Sequence, residues 1–135
     1  MTQWQQEWAY QKYWVMAHSQ QHYNAIRRLA RNNEWSVAKQ TQLKRLLAEA
    51  AHQSPTTATL TTAYQHVWGY FKKQCTVAEK QHYLALLASL TPEHDLLRPF
   101  LRQLAIKYQV SYLLASRLLM KNEMPNETQT TTDES

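Results

Sequence analysis

Glycine is nearly absent from this 135-residue chain, with Gly69 the single example, and proline occurs only four times. Tight β-turns that need positive φ therefore have almost no supply, which argues against a sandwich or barrel. Cysteine is as scarce. A lone Cys75 makes no internal disulfide, zinc finger or iron–sulfur cluster, each of which needs several ligands. No stretch approaches the ~20 apolar residues that span a bilayer, and the opening Met1-Thr2-Gln3-Trp4-Gln5-Gln6-Glu7 lacks the basic and apolar regions of a secretion signal. A cytoplasmic protein with no membrane contact is the expectation. What is present is 44% hydrophobic residues against 19% charged ones. That supplies a core for one small domain, at a size where roughly two thirds of the unfolded surface is hidden on folding.

The formal net charge of +5 hides an uneven distribution. Residues 1–122 hold all 15 Lys and Arg together with six acids, a balance of +9, whereas residues 123–135 hold four acids and no base. With Met124 as its one apolar side chain apart from proline, the second stretch cannot offset its ordering entropy, so it reads as a disordered acidic tail behind a helical domain of residues 1–122. A body this basic draws polyanions through a long-range field. The plain alternative is that the lysines keep a small protein soluble.

The spacing of apolar residues predicts an all-α chain, a compact bundle of about six helices. Residues 4–32 lack Gly and Pro and read as one long, bent helix, with Trp4, Trp8, Val15, Ile26 and Leu29 or Ala30 on a buried stripe. Ser36 caps a second helix to about His52, with Val37, Leu43, Leu46, Leu47 and Ala50 inward. Ser54-Pro55 starts a third, running to about Gln74. Thr76-Val77-Ala78-Glu79 fits a capping box for a fourth, to about Leu90. Thr91-Pro92-Glu93 opens a fifth ending near Lys107, which Pro99 either kinks or restarts. Val110-Ser111 opens a sixth, through Tyr112, Leu113, Leu114, Leu118 and Leu119 to about Lys121.

The third helix has two readable faces. Leu60, Tyr64, Val67, Trp68 and Phe71 form an apolar stripe, while Thr62, His66, Gly69 and Lys73 recur on another side, flanked by Tyr70 and Lys72. A mid-helix glycine costs roughly 0.8–1 kcal/mol against alanine, so Gly69 implies that another helix or a ligand passes close to the backbone.

Two runs of residues resemble a known family. Tyr64-Gln65-His66-Val67-Trp68-Gly69-Tyr70-Phe71-Lys72-Lys73-Gln74, followed by Glu79-Lys80, is similar to the H-x-x-G-Y-F-K-K signature of the YbgA-like domain family, a bacterial domain of unknown function. Lys12-Tyr13-Trp14-Val15-Met16-Ala17-His18-Ser19 with Tyr23 resembles the same family's opening K-Y-x-x-M-A-H-S run. The resemblance covers about residues 4–120. It departs at Ser116-Arg117-Leu118-Leu119-Met120, where the family continues into a Gln and a Tyr-Pro-containing stretch. It implies a helical module found alone or fused behind a cysteine-rich, iron–sulfur desulfidase that acts on thiouracil or on 4-thiouridine in tRNA. The module would hold RNA while the partner catalyses.

RNA recognition needs cations for phosphates and flat side chains that stack on unpaired bases. Lys12, His18, His66, Tyr70, Lys72 and Lys73 are the leading candidates, with Tyr23, Arg27 and Arg28 next and Gly69 permitting close approach. The alternatives are a solvated, dipole-complementing helix end for Lys72-Lys73 and, for His18 and His66, a buried pair that fastens the first helix to the third. His18 and His22 as metal ligands, Cys75 with His82 as a thiol–base pair, and His66 with Tyr70 as an acid/base pair each lack a supporting partner. Together with these residues, the family resemblance implies a non-catalytic module without cofactor or metal, binding RNA, most simply tRNA, beside a separate iron–sulfur desulfidase. The alternative is a protein-interaction adaptor that docks an acidic partner.

Overall fold

A computed structural model describes residues 2–120, so the expected tail at residues 123–135 lies outside the described residues. It is all-α, with α1 (Gln3–His18), α2 (Gln20–Leu29), α3 (Val37–Ala51), α4 (Thr57–Trp68), α5 (Val77–Ala88), α6 (Leu97–Lys107), the single turn α7 (Ser111–Leu114), and 3-10 turns at Arg31–Asn33 and Arg117–Leu119. None of these helices is long and apolar enough to cross a membrane.

Helix α1 packs chiefly on α4, and α2 pairs with α3. The centre is apolar on every side, with Val15, Met16 and Ala17 of α1, Ala63, Tyr64 and Val67 of α4, and Leu97 and Leu101 of α6 fully buried. Phe71 after α4, Leu113 of α7, and Leu118 and Leu119 of the final 3-10 turn close the core. The expected stripe of the third helix is entirely buried, whereas Val37 is 85% exposed at the first position of α3 and contributes nothing inward.

Several boundaries depart from the sequence reading, each for a local reason. The expected long first helix breaks at Ser19, whose backbone is extended (φ −160°, ψ 112°). The Ser19 hydroxyl accepts the His22 N–H at 3.1 Å and caps α2. The last carbonyls of α1 find tertiary partners instead of a continuing helix: Thr59 Oγ1 donates to Ala17 O at 2.6 Å. Thr56 rather than Ser54 caps α4, because its hydroxyl accepts from Thr59 N while Thr59 Oγ1 accepts from Thr56 N. Pro99 is the third residue of α6, where a backbone N–H has no intrahelical acceptor, so the helix neither kinks nor restarts. The Asp95 carboxylate takes the Arg98 N–H at 3.0 Å and starts α6, while Thr91 to His94 form a turn closed by paired backbone bonds. The sixth helix stops at Leu114, and Ser116 is extended (ψ 136°) before the final 3-10 turn.

Candidate nucleic-acid interface

Four tyrosines from four parts of the chain meet on one side. Tyr13 on α1 and Tyr23 on α2 are buried, while Tyr70, just past α4, and Tyr112 on α7 are each 38% exposed. The Tyr13 and Tyr70 hydroxyls share a hydrogen bond at 2.9 Å. Tyr13 meets both outer rings edge-on, with centroids at 6.3 Å from Tyr70 and 6.5 Å from Tyr112. Tyr70 and Tyr112 are near-parallel to each other, at 6.1 Å and 23°. Burial, and then the bond to Tyr70, raise the Tyr13 pKa far above the ordinary phenol range, so the Tyr13 hydroxyl stays protonated. The Lys12 ammonium lies 5.7 Å from the Tyr13 ring centre.

The second feature is basic. Arg27 and Arg28 on the last turn of α2, with Asn24 and Arg31, line an open groove of about 510 Å³. None of the three arginines makes an ion pair among the described residues, and three of the six acids there have partners elsewhere. Glu49 faces His22 and Arg45, Asp95 holds Arg98 and Tyr64, and Glu79 takes Lys107 and Tyr108. Cations at the end of α2 also complement its dipole.

A third feature is a groove of about 440 Å³ between the α4–α5 connection and α5, lined by Lys72, Cys75, Val77, Lys80 and Leu84 among others. Val77 is 76% and Leu84 49% exposed there.

The residues singled out by sequence are therefore distributed rather than gathered. Lys12, Tyr70 and Tyr23 belong to the tyrosine cluster, Arg27 and Arg28 to the arginine groove, and Lys72 to the third groove. Lys73 and His66 are exposed. His18 turns inward, with Nδ1 2.8 Å from Gln53 O and its ring stacked on Trp14 at 3.9 Å. Burial lowers its pKa, and Arg98 and Arg117 add to the effect. His66 is exposed, so the alternative of a buried histidine pair fastening α1 to α4 does not form, and the Thr59–Ala17 bond joins those helices. Gly69 lies one residue past the end of α4 in right-handed conformation (φ −54°, ψ −24°), not mid-helix. A Cβ there would meet only the carbonyls of His66 and Gln65 in its own preceding turn, so no second helix approaches it.

The other weighed pairs also fall apart. The Tyr70 hydroxyl bonds Tyr13, not His66. The His82 ring packs on Phe100 at 4.5 Å, away from Cys75, whose thiol faces Lys72 O. His18 and His22 point to different partners, and among the described residues no group of three His, Cys, Asp or Glu side chains converges on a metal position. Sequence reading missed a Ser19–His22–Glu49 chain, with contacts of 2.7 and 3.1 Å. Its serine oxygen is committed as the α2 cap, so the set ties α2 to α3. It also missed Tyr13, Arg31 and Tyr112. Tyr13 follows Lys12 directly and Arg31 lies four residues past Arg27, spacings that were readable; nothing local marks Tyr112.

An all-α domain carrying an aromatic cluster and unpaired arginines is the class these observations define. The family model described as "Protein of unknown function (DUF1722)" matches residues 12–122, and the chain belongs to that family. No curated protein and no solved structure matches it.

Proposed function

We propose that this chain is a YbgA-like domain that binds RNA, most simply tRNA, in the cytoplasm and serves a separate thiopyrimidine desulfidase without catalysing the reaction itself. The supporting observation is the groove of Arg27, Arg28 and Arg31, three guanidiniums with no ion-pair partner among the described residues. Uncompensated arginines are fitted to phosphate, which they bind in bidentate geometry. The aromatic cluster supplies what phosphate contacts alone lack, a means of engaging bases.

The test is a binding titration against bulk tRNA and a length-matched DNA duplex at two salt concentrations. Each phosphate contact to a single strand contributes about 0.7 to the slope of log affinity against log salt. Arg27→Gln/Arg28→Gln/Arg31→Gln is expected to weaken tRNA binding and to reduce that slope by about 2. Binding that is absent at low salt, or untouched by the triple substitution, overturns the reading. A second reading, an adaptor for an acidic protein, draws on the third groove, where exposed Val77 and Leu84 lie between Lys72 and Lys80. Lys72→Ala/Lys80→Ala separates the two, since an adaptor loses its protein partner while tRNA affinity holds.

A further inference from the structure

We propose that Tyr70 and Tyr112 form a seat for the face of one unpaired nucleobase, with Tyr13 as the buried support and Lys12 placed for the adjoining phosphate. The inference rests on the RNA reading and deepens it by naming the form of nucleic acid recognised. Tyr70 and Tyr112 are two of the few large hydrophobic side chains left exposed, and they lie together. They come from segments 42 residues apart in sequence, so local chain geometry does not explain their meeting.

Their setting is rigid. The 2.9 Å hydroxyl bond and the edge-on contact to Tyr13 hold Tyr70, and a second edge-on contact holds Tyr112. Rings already held in place lose little conformational entropy when a ligand arrives. The two outer rings stack on each other with an offset, at 6.1 Å and 23°, and a flat ligand extends that stack from its exposed side. Every base has a π-face, but a base inside a duplex has both faces covered by its neighbours. The seat therefore selects single strands and loops over duplex. Lys12 adds a cation beside the cluster, where a backbone phosphate of the stacked nucleotide would lie.

The experiment uses the full chain and a short single-stranded oligoribonucleotide labelled with fluorescein at one end and carrying one 2-aminopurine, whose fluorescence falls when it stacks. Anisotropy reads binding and 2-aminopurine intensity reads stacking. The wild type is expected to bind and quench. Tyr112→Leu and, separately, Tyr70→Leu should abolish the quench and weaken binding about 5- to 100-fold. Tyr70→Phe keeps the ring and should keep most of the quench. A blunt duplex of the same sequence should bind without quenching. Quench and affinity unchanged in both leucine variants, with Arg27→Gln/Arg28→Gln/Arg31→Gln still weakening the complex, overturn the seat and leave the RNA reading standing. Equal quenching by the duplex overturns the selection of unpaired bases. No binding of any oligonucleotide by the wild type overturns both readings together.

Discussion

Gln109 holds a backbone conformation that glycine would hold at lower cost. Its φ of 55° is left-handed, and it lies two residues past the end of α6, after the cap residue Tyr108, in a Schellman arrangement, with Val110 N–H on Ala105 O and Gln109 N–H on Ile106 O. The left-handed region costs a non-glycine residue roughly 1–2 kcal/mol, part of which glycine returns through its greater freedom in the unfolded chain. Gln109→Gly is expected to raise stability by about 0.5–1 kcal/mol in chemical denaturation, and an unchanged or lower midpoint would refute the account. The glycine-poor composition explains why such a site holds Gln at all. Single residues also divide by what their neighbours in sequence disclose. Tyr70 was legible because it flanks a periodic polar face, and Arg27 and Arg28 because adjacent arginines on a helix end are conspicuous. Tyr112 was not, since its significance comes only from contact with Tyr13 and Tyr70. For His18 the residue pattern left an inward and an outward placement open, and Trp14, one turn away, draws its ring inward.

Whole elements were more legible than their ends. The capping box at Thr76 and Glu79 forms as its spacing indicates, with Thr76 N–H on Glu79 Oε1 at 2.9 Å and Glu79 N–H on Thr76 Oγ1 at 3.0 Å. The end of α4 was placed too late. After Trp68 the bonds shorten to i→i+3, with Tyr70 N–H on Val67 O and Phe71 N–H on Trp68 O, so Phe71 still reaches the core although the helix has stopped. Hydrophobic spacing over so few residues does not separate these two geometries. Glu79 also joins α5 to α6, because the same carboxylate accepts from Lys107 Nζ and Tyr108 Oη. Those bonds, led by Lys107, hold its pKa down to about 2. A carboxylate depressed in the folded state adds stability above its unfolded pKa, and loses it as pH falls from about 4.5 toward 2. Glu79→Gln should therefore be less stable than wild type at pH 7 and approach it at pH 2. Parallel stability curves for the two proteins across that range would show that the carboxylate's charge is not what joins the helices.

At the scale of the whole molecule the informative quantity is charge. Composition indicated an all-α chain because one glycine cannot serve a β-fold, and the structure has that class, with α2 separated from α1 and α7 reduced to one turn. Charge placement was legible only in part: the excess of bases was countable, but which of them lack acidic partners depends on the pairings of Glu49, Glu79 and Asp95 across elements. Residues 1–122 carry +9 and the thirteen that follow carry −4. Thirteen residues reach at most about 45 Å when extended, enough to bring those four acids near any basic face of a body this size. The prediction is that they compete with the phosphates of an added RNA for Arg27, Arg28 and Arg31 at low ionic strength, a competition that screening weakens as the Debye length shrinks below about 10 Å. A chain ending at residue 122 should bind tRNA several-fold more tightly than the full chain at low salt, with the difference fading above physiological salt. Replacing Glu123, Glu127, Asp133 and Glu134 by their amides should reproduce the gain, since charge rather than length is responsible. Equal affinities of the three proteins at low salt would show that the acidic residues do not compete for the arginine groove.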